Sequence, residues 1–200
     1  MSAQRTLAAT LFMSLDGVVE SPEKWSFPFW SDETQEFKLA EVRATGALLL
    51  GRVTYEGFAA AWPSRKDTDG FADRFNNIPK FVASKTLRTL EWNNSHLIKG
   101  DLATEVSKLK QQGGQDIVIH GSPTLIRSLL EHNLIDEYRL LVYPLVLGHG
   151  KRLFDEASQA KLKLAESEAF SKGVVKLVYK QADTTHESKT RQSDNPRRDR

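Results

Sequence analysis

A chain of 200 residues is long enough for one domain with a substantial core, or one domain plus a tail. Hydrophobic content of 40% and charged content of 27% are ordinary for a soluble globular protein, and a formal net charge of +2 makes no electrostatic case for nucleic acid as a partner. The chain has no cysteine, which excludes disulfides and thiolate chemistry and agrees with a reducing cytoplasm, and no apolar run approaches the ~18 residues of a membrane span.

Thr6 to Met13 reads as a buried first strand. The apolar run after Arg5 leads into Asp16-Gly17, a turn signal, and not into the small-x-small site of a secretory leader. Residues 18–31 form a long loop that carries Trp25, Phe27, Phe29 and Trp30. Two uses fit such rings: a lid over the core, or the wall of a pocket for a flat heterocycle. Ser31 is a good N-cap for a helix that holds Asp32 and Glu33 in its first turn and continues through Phe37, Leu39, Ala40 and Val42. Ala47 to Leu50 is wholly apolar, as in a strand covered on both faces. It meets Gly51, and a helix runs from about Arg52 to Ala61 before Trp62-Pro63 stops it. Arg52 and Thr54 therefore stand at a helix start, where free N–H groups and the positive dipole end attract phosphate. A tight strand–helix turn with a surface arginine is the plainer reading of the same residues.

Residues 64–77 read as an exposed connection with one short helix. Lys80 to Ser84 and Ser95 to Ile98 are short strands, and Lys99-Gly100 follows the second. Asp101 caps a helix marked by Leu102, Val106 and Leu109, which ends at Gly113-Gly114. Gln115 to His120 is another strand, and Gly121-Ser122-Pro123 opens a helix with a capping serine and a proline at its first position. Asp136 to Leu147 reads as one long strand, followed by a flexible Gly148-His-Gly150. Strands at about Lys161–Phe170 and Val174–Lys180 form a hairpin through Ser171-Lys-Gly173. The polar stretch from Asp183 to Arg200 has the composition of disorder.

This alternation predicts an α/β fold: a central, mainly parallel sheet flanked by helices, with antiparallel C-terminal edge strands, in one domain over residues 1–182 and a tail over 183–200. Ligands of such sheets sit beyond the carboxyl ends of the strands. The junctions at Gly51 and Gly121 share that end, and two helix starts facing one crevice suit a ligand with two or more phosphates.

Ser14-Leu-Asp-Gly-Val-Val19, Leu50-Gly-Arg-Val-Thr-Tyr-Glu56, Ser84-Lys85, Ile119-His-Gly-Ser122 and Asp136-Glu-Tyr-Arg-Leu-Leu-Val-Tyr-Pro-Leu-Val-Leu-Gly148 form an ordered set. Over about residues 5–181 this set resembles the dihydrofolate reductase-like superfamily, nearest to the C-terminal reductase domain of the bifunctional riboflavin-biosynthesis deaminase-reductase and its stand-alone relatives. The resemblance implies a dihydrofolate-reductase-like sheet, NADPH as cofactor, a small-molecule substrate and a cytoplasmic homodimer. It assigns Gly51, Arg52 and Thr54 to the cofactor phosphates, and Ser84 and Lys85 to the adenosine 2′-phosphate. Lys99 would add a further adenosine-side contact. Gly121, Ser122 and Leu125 match the turn under the pyrophosphate and nicotinamide, with Gly-Ser where many relatives have Gly-Gly. Asp16, Gly17 and Val18 match the mobile loop that closes on the nicotinamide.

On the substrate side, Trp25, Phe27, Trp30 and Phe58 are the expected lining. Folate reductases carry a carboxylate on the helix after the loop tryptophan. Asp32, Glu33 and Glu36 are the candidates here, with Asp32 the lead proton donor. The plainer role for each is a first-turn acid that favours the helix dipole. His120, at the end of a buried strand, reads as a packed histidine, and His149 lies in the glycine loop. The five histidines lack metal-ligand spacing, so no metal is expected. The reading is an NADPH-dependent reductase acting on a C=N or C=O group. A dihydrofolate reductase, or a nucleotide-binding module without turnover, are the alternatives.

Overall fold

Eight strands form one sheet in the computed structural model, which describes residues 4–66 and 69–182. The strands are β1 (Leu7–Ser14), β2 (Thr45–Gly51), β3 (Lys80–Ala83), β4 (Ser95–Leu97), β5 (Asp116–Ile119), β6 (Glu137–Tyr143), β7 (Leu162–Ala169) and β8 (Val175–Gln181). The helices are α1 (Asp32–Ala44), α2 (Arg52–Ala61), α3 (Phe71–Asn77), α4 (Leu102–Gln111) and α5 (Pro123–Leu130). The strand order is β4-β3-β2-β5-β1-β6-β8-β7. Strands β4 to β6 run parallel, and β8 and β7 add an antiparallel edge. The expected α/β architecture is the observed one.

The central strands are apolar on both faces because both are covered. On one face Leu7, Ala9, Leu11, Ile117 and Ile119 pack against Val106 and Leu109 of α4 and Leu125, Ile126 and Leu129 of α5. On the other, Leu48, Leu50, Val82 and Val118 meet Val42 of α1, Tyr55 of α2 and Phe75 of α3. Each such fully buried aliphatic side chain contributes roughly 1.5–3 kcal/mol. Seven residues of the 64–77 connection, Phe71–Asn77, form α3, the one short helix expected there.

The long strand expected over Asp136–Leu147 stops at Tyr143. Pro144 has no N–H to give a ladder, and the chain folds tightly around it, with Leu145 N donating to Tyr143 O at 2.8 Å. The polar tail expected at 183–200 lies outside the described residues. Among the described residues no helix is long and apolar enough to cross a membrane.

The carboxyl edge of the sheet is stepped. Ala9 pairs with Ile119 and Leu48 with Val118. Strand β5 therefore ends level with Ala9, and β2 ends two residues further on, at Gly51, whereas β1 and β6 continue together to Ser14 and Tyr143. The step opens a crevice between the two halves of the sheet, where strand order reverses.

Candidate functional site

The two strand–glycine–helix junctions touch at this step. Gly51 N donates to Gly121 O at 3.1 Å. Gly121 has φ +137, and a Cβ on it would stand 2.7 Å from Thr54 Oγ1. A Cβ on Gly51 would stand 2.5 Å from Ser122 Oγ. Both glycines are thus required by close approach. Ser122 Oγ accepts from Leu125 N at 3.5 Å and caps α5, whose Leu125 is buried. The N-cap of α2 is Gly51 itself, so no side chain occupies the first N–H groups there.

The line of the edge extends outward. Gly51 pairs with Ala83 and Val82 with Leu97, which sets Ser84 and then Lys99 beside Gly51. Three inter-strand steps, about 14 Å in all, separate Gly121 from Lys99. Lys85 and Lys99 are exposed at this corner. Ser84 Oγ accepts from Thr86 N at 3.2 Å and Leu87 N at 3.0 Å and so shapes the turn that presents Lys85. Arg52 pairs with Glu56 at 2.8 Å on the surface of α2, a contact that holds the guanidinium only weakly.

The loop after β1 is tied along its length to residues 145–153. The Asp16 carboxylate accepts from Ser14 Oγ at 2.7 Å, Leu147 N at 3.1 Å and Gly148 N at 2.9 Å, and lies 3.5 Å from the Arg152 guanidinium. The Ser14 hydroxyl and these amides hold its pKa far below the usual carboxylate range. Gly17, at φ +83, passes its carbonyl to Leu153 N at 2.9 Å, and Val18 bridges to Arg152. Asp16, Gly17 and Val18 thus form a latch beside the crevice.

The loop aromatics divide. Trp25 donates to Glu20 O at 3.0 Å and packs edge-on to Tyr143 at 5.3 Å, with Phe29 on the same tyrosine. These two serve the core. Trp30 lies across Phe12 at 6.1 Å and donates to Gln35 at 3.2 Å, while Phe27 is 59% exposed at the rim. Phe58 sits among Trp62, Phe75, Trp92 and the His120 ring.

Helix α1 turns its acids and its interior apart. Asp32 and Glu36 are exposed. Glu33 accepts from Ser171 Oγ at 2.7 Å and Ser171 N at 3.2 Å, which pulls it down to about 2. The residues of α1 that reach the sheet are Thr34, Lys38, Glu41 and Val42. Lys38 Nζ donates to Thr10 Oγ1 at 3.2 Å and to Glu41 Oε2. Arg139 of β6 stands 3.7 Å from Glu41 and binds Asp116 at 2.8 Å and Glu137 at 3.1 Å. Burial alone would raise Glu41, but the Lys38 charge and its hydrogen bond, with the Arg139 charge, hold it below the ordinary carboxylate range. His120 is level with Thr10, packs on Phe58 and Phe75, and has a buried Nε2 with no hydrogen-bond partner. Burial, and then the Lys38 charge, push it down to about 3, so the ring is neutral.

Sequence reasoning missed Lys38, Glu41, Thr10 and Arg139. The spacing of Thr34, Lys38, Glu41 and Val42 is that of one helical face, but three of the four are polar and carry no apolar signal. His149 is exposed. Among the described residues no three His, Asp or Glu side chains gather as a metal site.

Comparison with known proteins agrees with this geometry. The model of the RibD C-terminal domain matches residues 5–176. YyaP, an uncharacterized protein of Bacillus subtilis, is 30% identical over 181 residues, covering 88% of this chain and 95% of its own. Two solved structures share the fold. A putative riboflavin biosynthesis protein from Shewanella sp. PV-4 superposes with TM-score 0.71 at 22% identity, over 92% of this chain and all of its own. Dihydrofolate reductase from Enterococcus faecalis, complexed with NADP(H), superposes with TM-score 0.61 at 16% identity, over 92% of this chain and 100% of its own. The sheet is therefore dihydrofolate-reductase-like, and a chain whose paired glycine junctions, stepped edge and motif order all fall within that match belongs to the RibD C-terminal domain family, a family of reductase domains.

Proposed function

We infer that the protein is an NADPH-dependent reductase. It transfers hydride to a C=N or C=O group of a small heterocyclic or ribosylamine substrate, of which 5-amino-6-(5-phosphoribosylamino)uracil is the model, and works as a cytoplasmic homodimer. The contact between the Gly51 and Gly121 junctions carries this reading: it sets two helix starts side by side, so close that a Cβ at Gly51 would strike Ser122 and one at Gly121 would strike Thr54. Such a surface admits a pyrophosphate close to backbone N–H groups. Arg52 and Thr54 flank it, and Ser84, Lys85 and Lys99 continue the line to a corner suited to a 2′-phosphate dianion. When bound, the dinucleotide supplies the hydride and is left oxidised. The chain binds, orients and keeps water out: Leu125 and Ser122 shape the floor, the Asp16-Gly17-Val18 latch borders one side, and Trp30, Phe27 and Phe58 border the other.

The exposure of Asp32 on the first turn of α1, away from the burial that keeps a carboxyl proton donor neutral, favours a second reading, a nucleotide-binding module without turnover. Tryptophan-fluorescence titration with NADPH and, separately, NADH tests the first. Tighter binding of NADPH, with that preference lost in Arg52→Ala/Lys85→Ala, is the expected result. Equal affinity of the variant and the original chain for NADPH refutes the cofactor assignment. NADPH that binds but is never oxidised with any pteridine or ribosylaminopyrimidine establishes the second reading.

A further inference from the structure

We propose that Lys38 is the substrate-side acid of this crevice and that Glu41 is the residue that positions it. The inference rests on the reductase reading above. Lys38 is buried at the step: its Nζ holds Thr10, the β1 residue one past the level at which β5 ends, and lies 5.6 Å from the Phe12 ring that carries Trp30. His120, the residue before the Gly121 junction, faces the same space with an unpartnered Nε2. The groups around Lys38 are thus Glu41 and Phe37 from α1, Thr10 and Phe12 from β1, Arg139 from β6 and His120 from β5.

Stability alone does not account for this pair. A buried lysine–glutamate pair gives a fold little or nothing over apolar side chains of the same volume, because desolvation offsets the attraction. The ammonium has three N–H donors, and Thr10 and Glu41 take two. The third makes no hydrogen bond among the described residues, and in this role it goes to a substrate atom. Glu41 is itself fixed by Arg139, which Asp116 and Glu137 anchor to the sheet. The charge on Lys38 is thus held in place from below, and its open donor is left for the substrate.

The chemistry follows. As the substrate carbon gains its C–H bond from the incoming hydride, the π pair of the C=N or C=O bond moves to the heteroatom. That atom takes a proton from Lys38 Nζ, and the N–H bond of the ammonium breaks. The neutral amine is reprotonated from water after the product leaves. A preorganised cation aimed at the atom where charge develops also lowers the barrier before the proton moves.

The test uses the full chain, with dihydrofolate and 5-amino-6-(5-phosphoribosylamino)uracil as probes. Lys38→Gln/Glu41→Gln removes both charges and so avoids leaving one buried alone. Lys38→Arg keeps the charge but holds its proton too tightly to act as an acid. The expected result has three parts. Both variants bind NADPH, by fluorescence, within about twofold of the original chain. The cofactor-free double variant binds the accepted probe about tenfold more weakly by calorimetry, the loss of one hydrogen bond to a charged donor. NADPH oxidation slows by about a hundredfold or more in both variants, as for loss of a general acid. Oxidation within about threefold of the original chain in either variant overturns the proposal and leaves the reductase reading standing. An original chain that oxidises NADPH with neither probe overturns the reductase reading, and the role of Lys38 falls with it.

Discussion

Lys80 offers a sharp test of how the Ser84–Lys85 corner of the sheet is held. It is fully buried in β3, and its Nζ donates to three backbone carbonyls: Asn76 at 2.8 Å, Ile78 at 2.9 Å and Asn93 at 2.9 Å. It also lies 4.3 Å from the centre of the Trp92 ring. One ammonium thus ties the end of α3 and the approach to β4 onto β3, the strand that leads to Ser84 and Lys85. Burial pushes Lys80 down to about 8, which leaves the side chain mostly charged at pH 7. Lys80→Met keeps the apolar stem and removes the donors. Ile78 O and Asn93 O, left unpaired, cost on the order of 1–2 kcal/mol each, Asn76 O keeps the Asn93 amide at 3.2 Å, and the lost cation–π contact adds about 1 kcal/mol. The expected loss is about 3–5 kcal/mol, a large fraction of the ~5–15 kcal/mol typical of a domain. Urea unfolding at pH 7, followed by tryptophan fluorescence, measures it. A loss below about 1 kcal/mol refutes the reasoning, because it means that Ile78 O and Asn93 O find other donors without help from Lys80.

Other consequences are as direct. Gly121→Ala places a methyl 2.7 Å from Thr54 Oγ1 at φ +137, so it loses about 2 kcal/mol or more in urea unfolding and weakens NADPH binding. Thr54→Ala in the same chain recovers the steric part and leaves the backbone strain. Asp16→Asn replaces charge-assisted bonds with weaker ones, and amide exchange at Leu147 and Gly148 accelerates by about tenfold while strands β1 and β5 stay protected. Glu33 has an ordinary value of 4.5 and a folded value of about 2. An acid held low stabilises the fold above its unfolded value and loses that effect as pH falls toward the folded one. Ser171→Ala therefore lowers the urea midpoint near pH 6, and the gap between the two proteins closes as pH falls from about 4.5 to about 2.

The parts of the fold that read directly from the chain were those in which local chemistry and tertiary role agree. Gly51 and Gly121 end apolar strands and open helices, and a sheet with parallel neighbours leaves little choice but to bring two such junctions to one edge. Ser122-Pro123 and Asp101 cap helices because their side chains satisfy the first N–H groups wherever the helix packs. The end of β6 was misread because Leu145, Val146 and Leu147 are apolar, and the break at Pro144 is made by one absent N–H in an otherwise strand-like run.

The buried polar cluster beneath α1 was not legible in the sequence for a related reason. A search for an acid looks first at the start of α1, where Asp32 and Glu33 stand out, yet first-turn acids are explained by the helix dipole alone. The interior of α1 is set by the crossing of the helix over β1 and β6, and there the stripe is Thr34, Lys38, Glu41 and Val42. A lysine and a glutamate one turn apart normally signal a solvated face. Here they lie inside because Thr10 and Arg139, polar residues paired across β1 and β6, stand opposite them. A polar residue in the middle of a strand and two opposite charges at helical spacing are each unremarkable signals. The pairing of the strands makes them one site, and that pairing is a property of the sheet order and not of any local stretch of chain.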